Sequence, residues 1–216
     1  DVKLIGMGGG FSYGELGATH YAIEDIAILS SLPNMNIFSP ADSMETEELV
    51  LKSYRTKNPA YFRLVKGALE GVLYKKKPDL EIGKPSVLAN GENGVILASG
   101  AQVGFSLIAA EELKEKGYSF KVLSIPTIKP ISKKALLDEI KEFKNIFIIE
   151  EHNIFGGLGS IIGSILAQGG WCGKLKSLAV PDEFSEEIGS VGYLRKKYKI
   201  ALETIPEEIL KFLRGN

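Results

Sequence analysis

Two histidines, His20 and His152, are the residues of this chain best suited to move a proton near neutral pH, because an imidazole titrates there. His20 ends the run Gly17-Ala18-Thr19-His20 and is followed closely by Glu24 and Asp25. Such a histidine either donates to a developing alkoxide or packs in a loop against backbone, and spacing alone leaves both open. Glu24 and Asp25 could serve as acid–base groups. The simpler expectation is that they favour a helix N-terminus or bond across a subunit interface. His152 stands at the carboxyl end of an apolar run over 145–149, where α/β sheets place ligands. A structural or interface role is the expectation for it.

Two glycine clusters invite a phosphate-binding reading. Gly6-Met7-Gly8-Gly9-Gly10 follows a strand, but the next helical pattern starts about ten residues later, too far for a dinucleotide fingerprint. Gly156-Gly157-Leu158-Gly159 does open a helical pattern, yet it lacks the Rossmann and P-loop spacings. Close packing of helix on sheet is the expectation there. Trp171 and Cys172 have no partner constellation and read as packing residues.

These residues are positioned by alternating short strands and longer helices, the mark of βα units and a mainly parallel sheet. Strands are predicted over 2–7 (buried), 36–39, 60–64, 94–98, 120–125, 145–149 and 175–180. Helices are predicted over 22–32, from a cap at Asp42 or Ser43, over 103–116, from Ser132 to 143, from the second glycine cluster to 168, and over 206–213 with an early proline. Composition breaks over 66–85, where Lys75-Lys76-Lys77-Pro78-Asp79 and Gly83-Lys84-Pro85 read as a linker. The expected division is 1–74, a linker over 75–88, and 89–216. The second part reads as a self-contained doubly wound domain with about four parallel strands, and the first has too few strands to close a core by itself.

The 216 residues carry a net charge of −1, which argues against a basic nucleic-acid face. The runs Lys75-Lys76-Lys77 and Arg195-Lys196-Lys197 are short and read as solvated faces. One cysteine allows neither an internal disulfide nor a cysteine metal cluster, as expected of a cytoplasmic protein. No apolar run reaches the roughly 18 residues of a membrane span, and no signal-peptide pattern is visible. The chain opens on Asp1-Val2-Lys3-Leu4 without an initiator Met, so residues upstream are expected.

Read in order, Gly17-Ala18-Thr19-His20 with Glu24-Asp25, Leu32-Pro33-Asn34-Met35, Pro40-Ala41-Asp42 and Pro59-Ala60-Tyr61-Phe62-Arg63-Leu64 form a series. It resembles the pyrimidine-binding domain of transketolases. Ile125-Pro126-Thr127-Ile128-Lys129-Pro130-Ile131, Glu150-Glu151-His152, the second glycine cluster and Pro181-Asp182 resemble the C-terminal domain of the same family. The resemblance spans essentially the whole chain. It implies a three-layer α/β/α fold with mainly parallel sheets: part of a pyrimidine-binding domain, then a complete C-terminal domain.

It also implies thiamine-diphosphate chemistry, in which a two-carbon ketol unit passes between sugar phosphates and the cofactor supplies the electron sink. His20 then falls in the active-site cleft, as the catalytic candidate. Lys66 falls where the family grips a substrate phosphate with Arg, and Lys can do so as a point cation. Arg63 is a second candidate for the anion, or an interface ion pair. Leu16 stands where transketolases usually carry an Asp for a sugar hydroxyl, and Ser30 replaces a usual Arg. The family's cofactor-activating carboxylate, and the residues that hold Mg2+ and the diphosphate, lie outside this stretch. The implied partners are a second copy, a separate N-terminal transketolase subunit, or both. The β subunit of a 2-oxoacid dehydrogenase, a deoxyxylulose-phosphate synthase and a non-enzymatic dimerisation module remain as alternatives.

Overall fold

A computed structural model describes residues 1–66 and 73–215. Two mostly parallel sheets organise the chain. The first contains β1 (Lys3–Met7), β2 (Asn36–Phe38), β3 (Ala60–Leu64) and β7 (Thr127–Lys129) in the order β1-β3-β2-β7. The second contains β4 (Ser86–Ala89), β5 (Gly94–Ala98), β6 (Phe120–Ser124), β8 (Asn145–Asn153) and β9 (Lys174–Val180) in the order β4-β6-β5-β8-β9. β4 runs antiparallel to β6, and the other pairings in that sheet are parallel.

β5 is buried throughout because both faces of the second sheet are covered. Ile96 and Ala98 face one core with Phe147 and Ile149, under α3 (Gln102–Glu115), α6 (Val191–Lys197) and α7 (Ile205–Leu213). Val95 and Leu97 face another with Ile146 and Ile148, under α4 (Lys133–Ile140) and α5 (Leu158–Gln168). This period of two gives the three-layer arrangement. The second core also takes in Ile26 of α1 (Asp25–Ser30), Ile37 and Tyr61, so the two sheets share apolar interior. The expected α/β fold is therefore the observed one.

Several boundaries differ from the sequence reading. β1 is not a buried strand: it is a sheet edge, with Leu4, Ile5 and Met7 44%, 53% and 65% exposed. The helix predicted over 22–32 shortens to α1, because Ala22 is held in an isolated antiparallel bridge to Gly10 and Ser31 begins the next turn. Residues 86–88, read as the end of the linker, form the edge strand β4 together with Ala89. Leu80, read as linker, is buried with Phe38, Leu49, Ala60 and Phe62. Residues 67–72, where the composition break begins, lie outside the described residues.

The caps read from sequence are present. The Asp42 carboxylate accepts from Glu45 N at 2.8 Å at the start of α2 (Ser43–Tyr54), and Ser132 Oγ accepts from Ala135 N at 3.3 Å. Glu45 itself is fully buried. Its carboxylate accepts from Ala41 N, from Ser124 Oγ on β6 and from the Tyr74 hydroxyl, each at 2.7 Å. Burial pushes this carboxyl up, against those three donors. Removing the carboxylate strands the buried Ala41 and Ser124 donors, one from each half of the chain, and takes a partner from the half-buried Tyr74 hydroxyl. Glu45→Ala should therefore lower the unfolding free energy by about 3 kcal/mol in denaturant titration; a loss below about 1 kcal/mol would mean that water replaces the carboxylate.

Candidate functional site

The segment between β1 and α1 is a tight loop whose own donors are committed. Gly8 N and Gly9 N both donate to Leu64 O, at 2.8 and 3.0 Å, and Gly10 N donates to Ala22 O at 2.8 Å. The first glycine cluster thus spends these amides on the fold and offers them to no phosphate. Gly10 sits at φ +66° with its Cα against the Glu151 carboxylate, where a Cβ would collide with Oε1.

Beyond Gly10 the loop forms one wall of a surface cleft of about 420 Å³, lined by Ser12, Tyr13, Leu16, Lys66 and Val191 among others. The exposed Lys66 places Nζ 5.6 Å from the centre of the Tyr13 ring, and its backbone N donates to Ser12 Oγ at 2.8 Å. Leu16 is 57% exposed on the same cleft. The cleft therefore combines the Lys66 cation, the Glu15 carboxylate, the Tyr13 hydroxyl and apolar wall, while the Ser12 hydroxyl is held by Gly9 O and Lys66 N. His20 is exposed at the end of the second 3-10 turn, with Nδ1 3.0 Å from Thr19 Oγ1. It is not among the side chains lining this cleft.

Arg63 lies elsewhere. It is 3% exposed, Nε donates to Asp25 Oδ2 at 2.8 Å, and Nη2 donates to Ala22 O at 2.7 Å and Glu151 O at 2.9 Å. The Tyr61 hydroxyl also donates to Asp25, at 2.8 Å. Arg63 is thus inside the frame that holds the loop to β8, and Asp25 is its counter-ion and not an open acid–base group.

The end of β8 carries four buried polar side chains in a row, Glu150 to Asn153. Glu150 accepts from Leu158 N at 2.6 Å and Gly159 N at 2.9 Å, filling the start of α5 where a phosphate would otherwise sit. Gly157 and Gly159 have no room for a Cβ beside Glu150 and Ser177, so this second cluster serves close packing, as expected. His152 donates from Nδ1 to Asn153 O at 2.8 Å and accepts at Nε2 from Ala27 N at 3.3 Å, a neutral imidazole with both nitrogens used. Burial, helped by the Arg63 charge, holds its pKa down at about 4.

Comparison with known proteins fits this geometry. The transketolase pyrimidine-binding domain profile matches residues 1–71, and the transketolase C-terminal domain profile matches 83–205. The chain belongs to the transketolase family. Its members depend on thiamine diphosphate. A transketolase C-terminal section of Methanocaldococcus jannaschii is 33% identical over 99% of this chain and 67% of its own length. One of the subunits of an apulose-4-phosphate transketolase from Phocaeicola vulgatus is 35% identical over 99% of this chain and 68% of its own. A solved split-gene transketolase, described as an inactive beta4 tetramer, superposes with a TM-score of 0.86 at 30% identity, over 97% of this chain and 66% of that one. The chain thus spans about two thirds of the length of these transketolase relatives.

Among the described residues, no group of three or more His, Cys, Asp or Glu is placed to hold a metal ion. They do not fit as a Mg2+ site for this transketolase chain. No helix among them is long and apolar enough to cross a membrane. Ser12, Tyr13 and Glu151 escaped the sequence reading as contributors to the site. The one available signal for Glu151 was a carboxylate pair closing a strongly apolar strand.

Glu150 makes a testable pH signature. Burial pushes its carboxyl up to about 7, more than the two helix amides pull it down. Between the ordinary 4.5 and about 7 the folded chain holds a proton that the unfolded chain has lost, so stability falls as pH rises through that window. His152 acts in the opposite sense, its charge-free folded form costing stability as pH falls from 6.5 towards 4. Relative to the parent chain, Glu150→Gln should therefore gain roughly 3 kcal/mol of unfolding free energy across the Glu150 window. Denaturant titrations at a series of pH values read it, and a difference constant with pH would rule out the raised carboxyl.

Proposed function

We propose that this chain is the C-terminal subunit of a split transketolase, transferring a two-carbon ketol unit between sugar phosphates. The observation that carries the reading is the cleft that combines the Lys66 cation with Ser12, Tyr13 and Leu16, in a chain matched by the pyrimidine-binding and C-terminal domains of one family. The names of the relatives support it, one being a subunit of an apulose-4-phosphate transketolase. Thiamine diphosphate and Mg2+ are assigned to protein outside the described residues, supplied by a separate N-terminal polypeptide, by a second copy, or by both. The single, exposed Cys172 accords with a cytoplasmic setting.

In this reading Lys66 holds the substrate phosphate as a point charge. His20, exposed and with Nδ1 engaged by Thr19, presents Nε2 to a sugar oxygen and exchanges a proton with it. Leu16 offers no hydrogen bond, so a sugar hydroxyl directed at it goes unpaired and sugars carrying one there are disfavoured. Arg63 is assigned to the frame and not to substrate, on its burial and its bonds to Asp25, Ala22 and Glu151.

The test uses the assembled enzyme with its cofactor-bearing partner and a ketose phosphate donor. His20→Ala should lower kcat about 100-fold with little change in unfolding. Lys66→Ala should raise the KM of a phosphorylated acceptor about tenfold, and that of its unphosphorylated counterpart far less. Unchanged turnover in the His20 variant would remove its catalytic role. Turnover with an oxoacid donor in place of the ketose would move the chain to the oxoacid dehydrogenase or deoxyxylulose-phosphate synthase reading, and a complex that binds no thiamine diphosphate to a structural role.

A further inference from the structure

We propose that Glu151, a buried residue of β8, is a positioning residue for substrate phosphate and acts through the loop that carries the cleft. The inference rests on the reading of Lys66 as the phosphate contact.

Glu151 is 4% exposed, so it touches no substrate. Its Oε1 accepts from Phe11 N at 2.6 Å, across 140 residues of sequence. Its Oε2 accepts from Arg195 Nε at 2.5 Å and from Gln102 Nε2 at 3.3 Å. All three groups are donors. A carboxylate meets them at both oxygens, whereas an isosteric amide has one acceptor and must turn an NH2 against a donor. The backbone of the same residue adds a fourth link, since its carbonyl accepts from Arg63 Nη2 at 2.9 Å.

The connection from Glu151 to the cleft is short. Phe11 is pinned at its amide by Glu151. Its ring stacks on Tyr198, 5.4 Å between centres, and meets Tyr21 edge-on at 5.1 Å. The next residue, Ser12, donates from Oγ to Gly9 O at 2.6 Å and accepts Lys66 N at 2.8 Å. One residue further, Tyr13 sets its ring against Lys66 Nζ. Two hydrogen bonds and one peptide link thus separate the buried carboxylate from the backbone of Lys66. Gly10 completes the fit, because a side chain there would displace the carboxylate.

The experiment is Glu151→Gln in the assembled enzyme, alone and combined with Lys66→Ala. Alone, it should raise the KM of the phosphorylated acceptor about tenfold, far more than it lowers kcat and far more than it affects the unphosphorylated acceptor. On the Lys66→Ala background it should add little, because the group it positions is gone. Amide exchange in this chain gives a readout independent of turnover: Phe11 and Lys66 should exchange about tenfold faster in the Gln variant while β5 stays protected. Ser12→Ala cuts the same connection one step nearer the cleft and should reproduce the phosphate-selective KM rise, should the Gln variant fold poorly. Full additivity with Lys66→Ala, an equal KM rise for both acceptors, or unchanged Phe11 and Lys66 exchange would overturn the proposal. If Lys66→Ala itself shows no phosphate selectivity while the exchange rates still rise, the substrate reading fails and Glu151 is left as a purely structural anchor, which also overturns it.

Discussion

A buried carboxylate keeps its charge only if donors replace the water it has lost, and Glu151 draws its donors from three distant segments. Phe11 comes from the loop after β1, Gln102 from α3 and Arg195 from α6. None of these segments is a neighbour of the others in sequence. This ionic centre, beside the Arg63–Asp25 pair, therefore ties the first sheet's loop to the helices covering one face of the second sheet. Losing one partner of such a pair costs more than forming it gains, because the survivor is left charged and dry. That asymmetry makes the arrangement specific even where its net stabilisation is small.

The strand that carries Glu151 sorts its polar end by the same alternation that sorts its apolar middle. Ile146 and Ile148 share a core with α5, and Glu150 continues that face to cap α5. His152, two residues on, stays on that side and meets α1 at Ala27. Phe147 and Ile149 face the opposite core, and Glu151 follows them to Arg195 and the loop. Three adjacent polar residues thus attach three different elements to one strand, and none of them is spare for chemistry.

Where local pattern decides, the sequence was informative. The apolar runs of β5 and β8, the Asp42 and Ser132 caps and the early proline of α7 are all local signals, and each is present in the structure. The ordered motifs likewise pointed to the family, since Gly17-Ala18-Thr19-His20 and the second glycine cluster need only be read in line. What could not be read depends on partners far along the chain. Arg63 looks the same in sequence whether it meets a phosphate or Asp25. β4 and β7 are four- and three-residue edge strands whose identity comes from the sheet they join and not from their own composition. Lys66 and Leu16 do share a cleft, but His20 stands outside its lining, which no spacing rule anticipates.

β7 leaves the second sheet's β6, crosses to the first sheet, pairs antiparallel with β2, and returns to α4. The first sheet is therefore completed by residues that follow the linker by some forty positions. A boundary drawn on the chain is consequently not a boundary in the folding equilibrium. Severing the backbone between the halves would leave β2 with a bare edge, and the amino-terminal piece would recover its missing strand only by recruiting the carboxy-terminal piece or an equivalent segment from another molecule. Any cut of the backbone between the halves thus parts β2 from the strand that covers its edge.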